Sequence, residues 1–308
     1  MKIEVKEYGN IPRELKELTL NIVNETISAT NRQLNILDIY FFEDRSSMAA
    51  YLNKEKMELG FPPTWEAEDF YATHDAWLGT PRTVISAEAW NSMDRRAFIG
   101  CIRHEIAHAI LHGDVFHYVF AVPKLLKQLG QLSSKITYLL AIAVKDYEVT
   151  EFLIKMGFIE DQKHYIKHLL SISEEEIQDY MLAEATGTGL TIAYAQVLKI
   201  VMCTLPLARI DDEIGKLLES YLTKIPESLE GRVRIIANKV SRSFTGSFKE
   251  KLEKIREIKE GTALKSTNIT HEINIIDIIT SFRLCLLYTS DAADELDGVD
   301  LGGRRIIK

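Results

Sequence analysis

Cysteine is scarce in this sequence, which has three among 308 residues. Two of them, Cys101 and Cys203, lie far apart in different predicted helices, and no Cys-x-x-Cys pair occurs. These absences exclude a disulfide framework and a zinc knuckle built from cysteine. The amino-terminal residues also lack the apolar core of a signal peptide, so we expect a cytoplasmic protein.

An excess of basic residues is also missing, because 37 Lys and Arg face 45 Asp and Glu and give a formal net charge of -8. This acidic balance argues against nucleic acid or an anionic membrane surface as a partner. The longest apolar run, residues 190 to 210, is interrupted by Gln196, Lys199 and Pro206. It therefore indicates a buried helix rather than a membrane span.

The carboxyl-terminal end differs in character from the rest of the chain. The stretches "CLLYTSDAADE" and "VDLGGRRIIK", within residues 285–308, resemble the in-frame translation of an adapter and a primer used in sequencing libraries. We therefore expect residues 285–308 to be an adapter-derived artefact and the natural part to run to about Leu284.

Alternating and helical patterns divide the remainder into two parts. Strands are predicted at residues 2–8, 34–42, 69–79 and 82–88. Helices are predicted at 11–31, 46–58 and 93–112, and then at 120–131, 134–157, 160–170, 173–185, 190–204, 209–224, 229–240 and 246–260. For the helix at 93–112 we expect Ser92 as the N-cap, Asp94 as an acid in the first turn, and Gly113 at the end. The pattern predicts an α+β fold, with an α+β subdomain over 1–114 and a mostly helical subdomain over 115–284.

The segment "CIRHEIAHAILHGD" places His104, Glu105 and His108 in the order H-E-x-x-H. Residues four apart share a helix face, so the two histidines can bind one ion while Glu105 lies beside it. This arrangement suits hydrolysis, in which Zn²⁺ acidifies a water molecule and Glu105 acts as the general base. The alternative is a helix with two surface histidines. Leu111 and Asp114 stand where the extended motif would have Gly and His, which excludes that variant.

A catalytic zinc normally has three protein ligands, so one more is required. Asp146 shares an apolar helix face with Leu139 and Val149, whereas Glu148 shares a charged face with Lys145, Glu151 and Lys155. A buried carboxylate needs a cation, so we expect Asp146 to be the third ligand and Glu148 to be the less favoured choice. The alternative for Asp146 is an ion pair with Arg95, Arg96 or Arg103. His112 is two turns from His104 and is expected beside the site, near substrate, or as a helix cap.

These residues resemble the gluzincin branch of the zinc metallopeptidases over about residues 35–157. In that family a second helix carries E-x-E-A-D or E-x-x-A-N, and here Asp146, Tyr147, Glu148, Val149 and Thr150 align with it. Asp replaces Glu at the ligand position and Thr replaces the last Asp or Asn.

The resemblance implies a zincin-like fold, in which a small twisted sheet lies over the motif helix and its edge strand binds an extended peptide. The edge would be "RTVIS" or the strand before it, and His74, Trp77, Tyr147 and His117 would be possible substrate or oxyanion contacts. We therefore expect a zinc metallopeptidase acting on a peptide or protein. The alternative is an inactive metal-binding or protein-interaction protein on the same scaffold.

Overall fold

The computed structural model describes residues 1–30, 32, 34–58, 70–118, 132–186 and 189–243. The strands in these ranges are β1 (Lys2–Tyr8), β2 (Ile36–Phe42), β3 (Ala72–Asp75) and β4 (Arg82–Ser86). The helices are α1 (Arg13–Ser28), α2 (Arg45–Glu58), α3 (Glu88–Ser92), α4 (Arg95–His112), α5 (Leu132–Lys155), α6 (Ile159–Leu169), α7 (Glu174–Thr186), α8 (Leu190–Ala208), α9 (Asp212–Leu222) and α10 (Glu227–Ser243). A short 3-10 helix spans Val115–His117. The α+β class predicted from the sequence is confirmed. The helices predicted over 120–131 and 246–260, and the tail at 285–308, lie outside the described residues.

The four strands form one mixed sheet in the order β1-β2-β4-β3. β1, β2 and β4 run parallel, and β3 pairs antiparallel to β4, with His74 opposite Thr83. β4 lies between β2 and β3, and all of its residues are buried, since helices also cover both faces of the sheet here. The alternative that "RTVIS" forms the sheet edge is therefore wrong, and β3, which carries His74, is the edge strand on this side.

Helices cover both faces of the sheet, as expected for parallel strands that are apolar on both faces. On one face, Ile39 and Phe41 of β2 pack with Ile102 and Ile106 of α4. On the other face, Tyr40 and Phe42 of β2, with Val84 of β4, pack against Met48 and Leu52 of α2. The apolar side of α4 is thus fixed in the sheet core, so its opposite side can carry polar groups at fixed positions.

Helix α4 begins two residues later than predicted, at Arg95 rather than at residue 93. The Asp94 carboxylate accepts hydrogen bonds from the backbone N–H groups of Arg96 and Ala97 and is the N-cap. Ser92 belongs to the preceding helix α3, where its hydroxyl donates to the Glu88 carbonyl at 2.8 Å. The prediction of Ser92 as the N-cap is therefore wrong, because that hydroxyl already has a partner within α3.

A second core lies between α5 and α8 and includes Leu140 and Val144 of α5 with Val197 and Val201 of α8. Within the described ranges, α8 is the one helix long and apolar enough to cross a membrane, and 61% of its apolar window is buried. Its burial against α5 agrees with the predicted core helix. Lys145 is also fully buried, but on the side of α5 that faces Tyr118, with Nζ 3.8 Å from the centre of the Tyr118 ring. The charged face on which Lys145 was predicted is therefore buried at this position.

Helices α4 and α6 approach closely at Gly100. A Cβ atom built at this position would overlap the Asp161 carbonyl oxygen and lie 2.8 Å from Cβ of Tyr165. Only glycine allows the two backbones this separation without a shift. The close approach brings the side chains of α6 to the polar side of α4, where the histidines lie.

Candidate metal centre

His104, His108 and Asp146 meet at the junction of α4 and α5. His108 Nε2 lies 3.1 Å and His104 Nε2 lies 3.7 Å from the same Asp146 oxygen, Oδ1. Ligand atoms at 2.0–2.1 Å from a tetrahedral zinc are about 3.3 Å apart, a value between these two distances. All three side chains are buried, and their ligand atoms lie within 4.8 Å of one another. These residues could hold a metal ion.

A metal ion would satisfy the ligand atoms of His108 and Asp146 better than a direct hydrogen bond between them does. His108 Nε2 is buried and makes no hydrogen bond within the described residues, although Asp146 is only 3.1 Å away. A buried nitrogen without a partner is costly, and a cation between it and the carboxylate would satisfy both. Two imidazole nitrogens and one carboxylate oxygen are also a set that zinc accepts.

The ring of His104 is oriented by a residue of α6. Its Nδ1 lies 3.3 Å from Gln162 Oε1, and Gln162 Nε2 donates to the Gly100 carbonyl at 3.1 Å. Because the amide is fixed by this second bond, its oxygen faces the ring and accepts the Nδ1–H proton. His104 Nε2 then has its lone pair free towards Asp146.

His108 is oriented by a second chain of polar groups. Its Nδ1 lies 3.2 Å from His112 Nδ1, and His112 Nε2 lies 3.3 Å from Glu148 Oε2. If His108 binds a metal through Nε2, its Nδ1–H donates to His112, whose Nε2–H then donates to Glu148. A carboxylate at the end of such a chain fixes the tautomers and raises the basicity of the ligand. Glu148 thus lies beside His112 rather than in the group formed by His104, His108 and Asp146.

Glu105 faces the edge strand of the sheet. Its Oε2 lies 2.6 Å from His74 Nδ1, and the His74 ring stacks on the His108 ring with centroids 3.6 Å apart and planes inclined by 7°. His74, Glu105 and His108 are a second group with ligand atoms within 4.8 Å of one another. The lone pairs of two stacked parallel rings lie in separate parallel planes, 3.6 Å between centroids here, so both cannot be directed at one ion. We therefore favour the first group, in which the rings of His104 and His108 are inclined by 69°.

Burial sets the charges of these groups. It lowers the pKa of His74, His108 and His112 well below 6.5, with smaller contributions from neighbouring cations and imidazoles, so these rings are neutral at pH 7. Burial also raises the pKa of Glu105 to about 7. Burial alone would raise the pKa of Asp146, but the hydrogen bond with His104 and the positive charge of Lys199 outweigh burial, and the pKa of Asp146 is lowered. A neutral His108 imidazole beside an ionised Asp146 carboxylate is the combination of protonation states that a metal requires.

The three arginines considered as ion-pair partners of Asp146 have other partners. Arg103 forms ion pairs with Glu25 and Asp161 at 2.8 and 2.7 Å, and Arg95 stacks on Trp90. Arg96 has a contact with His164 at 3.5 Å. The alternative that Arg95, Arg96 or Arg103 forms an ion pair with Asp146 is therefore wrong, and within the described residues Asp146 faces His104 and His108 instead.

The remaining candidates are arranged around the centre at greater distance. The Tyr147 hydroxyl accepts a hydrogen bond from Arg209 at 2.7 Å within the helical core. The His117 ring lies against His112 at 5.1 Å, and the Trp77 ring lies against Tyr118 at 5.5 Å. Gln162 was not predicted, although its position between Ile159 and Ile166 on one helix face was a signal.

The chain matches no family model, no curated protein and no solved structure. The chemistry of His104, Glu105, His108 and Asp146 is therefore inferred from their geometry.

Proposed function

We propose that this protein is a cytoplasmic zinc-dependent metallopeptidase with a zincin-like, gluzincin-type centre. The observation that carries the proposal is the convergence of His104 Nε2 and His108 Nε2 on Asp146 Oδ1, at 3.7 and 3.1 Å. Glu105 directly follows His104 in the same helix. His104, His108 and Asp146 would hold the zinc ion. When bound, zinc supplies a Lewis acid that lowers the pKa of water to about 7.

Glu105 is suited to move a proton in both directions. Its Oε2 is engaged with His74, which leaves Oε1 to take a proton from water and return it to the leaving nitrogen. A pKa of about 7 places both protonation states within reach at neutral pH. The substrate would be a peptide or protein, bound by strand addition at the edge strand β3, which also carries His74.

The experiment compares Glu105→Gln with the wild-type protein loaded with one equivalent of zinc. We expect the variant to retain zinc and to lose cleavage of a mixed peptide library by at least about 100-fold, because removal of a general base costs about 10²–10⁴-fold. Equal cleavage by the variant would refute Glu105 as the base.

The burial of the centre favours a second candidate, a metal-binding or protein-interaction protein without catalysis. His104, Glu105, His108 and Asp146 are each no more than 7% exposed. A wild-type protein that binds zinc and cleaves no peptide in the library would select this candidate over the peptidase.

A further inference from the structure

His74 contacts two components of the metal centre from the edge strand β3. It hydrogen-bonds Glu105 at 2.6 Å and stacks face to face on His108 at 3.6 Å. Within the described part of the chain, His74 is the only side chain that hydrogen-bonds Glu105. The pair is buried, with side-chain exposures of 5% and 9%, so water cannot readily replace this bond.

The arrangement of His74 does not suit a metal ligand. Its ring is parallel to that of His108 within 7°, so the lone pairs of the two rings do not converge. Its Nδ1 is engaged with Glu105, and its Nε2 is buried without a hydrogen-bond partner in the described ranges. The ring therefore acts on the centre through Glu105 and through its stack on His108.

Glu105 needs such a contact because a carboxylate is itself a zinc ligand. One of its oxygens lies within 4.8 Å of a ligand nitrogen of His108, so a modest rotation would bring it to an ion bound there. A carboxylate bound to the ion would no longer be available as a general base.

We propose that His74 is a positioning residue that holds Glu105 Oε2 away from the ion, so that Glu105 serves as the general base rather than as a further ligand. This proposal rests on the proposed function for its catalytic consequence. The position of the Glu105 carboxylate in the metal-loaded protein can be tested whether or not the protein cleaves peptides.

The test uses the full chain loaded with cobalt(II), whose visible absorption weakens when the coordination number rises. We expect His74→Leu to show weaker absorption than the wild type, because the released carboxylate binds the ion. The double variant His74→Leu with Glu105→Ala should recover the stronger absorption. If His74→Leu leaves the spectrum unchanged, or if the double variant stays weak, the proposal is overturned.

A matched pair of isosteres tests the hydrogen bond. The amide N–H of Asn lies near the position of the imidazole Nδ1, whereas that of Gln lies near Nε2. We expect His74→Asn to retain the wild-type cobalt spectrum and His74→Gln to resemble His74→Leu. Peptide cleavage should follow the same order, with kcat about 10- to 100-fold lower in His74→Leu and KM unchanged.

The two proposals fail in different ways. A wild-type protein that cleaves no peptide refutes the proposed function, but its cobalt spectra still report the position of Glu105. A cobalt affinity that falls in His74→Leu and stays low in the double variant would instead make His74 a ligand, and would overturn the positioning role.

Discussion

Replacement of Glu105 by Gln should stabilise the metal-free protein at neutral and alkaline pH. The carboxyl group is 7% exposed, and burial raises its pKa to about 7, with a further contribution from the charge of Asp146. Gln has nearly the same shape and stays uncharged at every pH. It can also keep a hydrogen bond to His74 Nδ1, so the substitution removes the buried charge and little else.

The magnitude follows from the two pKa values of Glu105. The ordinary value is 4.5 and the value in the folded protein is about 7, so the folded state binds more protons than the unfolded state between these limits. The contribution of Glu105 to the free energy of unfolding therefore falls as pH rises from 4.5 through 7, and the loss of this contribution is complete above 7. The difference between the two pKa values corresponds to about 3 kcal/mol.

The assay is urea unfolding of the metal-free protein, in the presence of a chelator, at a series of pH values from 4 to 8. We expect Glu105→Gln and the wild type to agree at pH 4, to diverge across the window, and to differ by about 3 kcal/mol at pH 8. Glu184→Gln, at an exposed position on α7, is the control and should follow the wild type throughout. Parallel curves for Glu105→Gln and the wild type, or a less stable variant at pH 8, would refute the reasoning.

Two further predictions concern the metal ligands and their support. Asp146→Ala should lose bound zinc on dialysis. Glu148→Ala should retain zinc, with an affinity weaker by about 10- to 100-fold. Metal analysis that shows loss of zinc in the Glu148 variant alone would make Glu148, rather than Asp146, the third ligand. Gln162→Leu removes the acceptor for His104 Nδ1 and should weaken zinc binding by about 10- to 100-fold in a chelator competition, whereas Gln162→Glu should keep it near the wild-type value. Equal affinities for the Leu variant and the wild type would contradict the role of Gln162.

The parts of the fold that depend on local pattern could be predicted from the sequence. Helix α4 and the shared face of His104 and His108 follow from the 3.6-residue period, and the strands follow from alternation. The prediction that Asp146 lies on a buried face is confirmed, since it is 5% exposed. These features need only the order of residues within one element.

The parts that depend on packing between distant elements could not be predicted. The burial of Lys145 requires knowing that Tyr118 packs against α5, and the interior position of β4 requires knowing the strand order. The bond from Gln162 to His104 requires the close approach of α4 and α6 at Gly100. A single sequence contains all of these side chains, but it does not show which of them contact each other.

The junction of α4 and α5 has a consequence for how the two halves unfold. α4 belongs to the core under the sheet and α5 to the core beneath α8, and they supply His104 and His108 on one side and Asp146 on the other. An ion held between them would act as a cross-link between two hydrophobic cores. Separation of either half would release the ion, so zinc would join the two halves in one cooperative transition and a chelator would uncouple them.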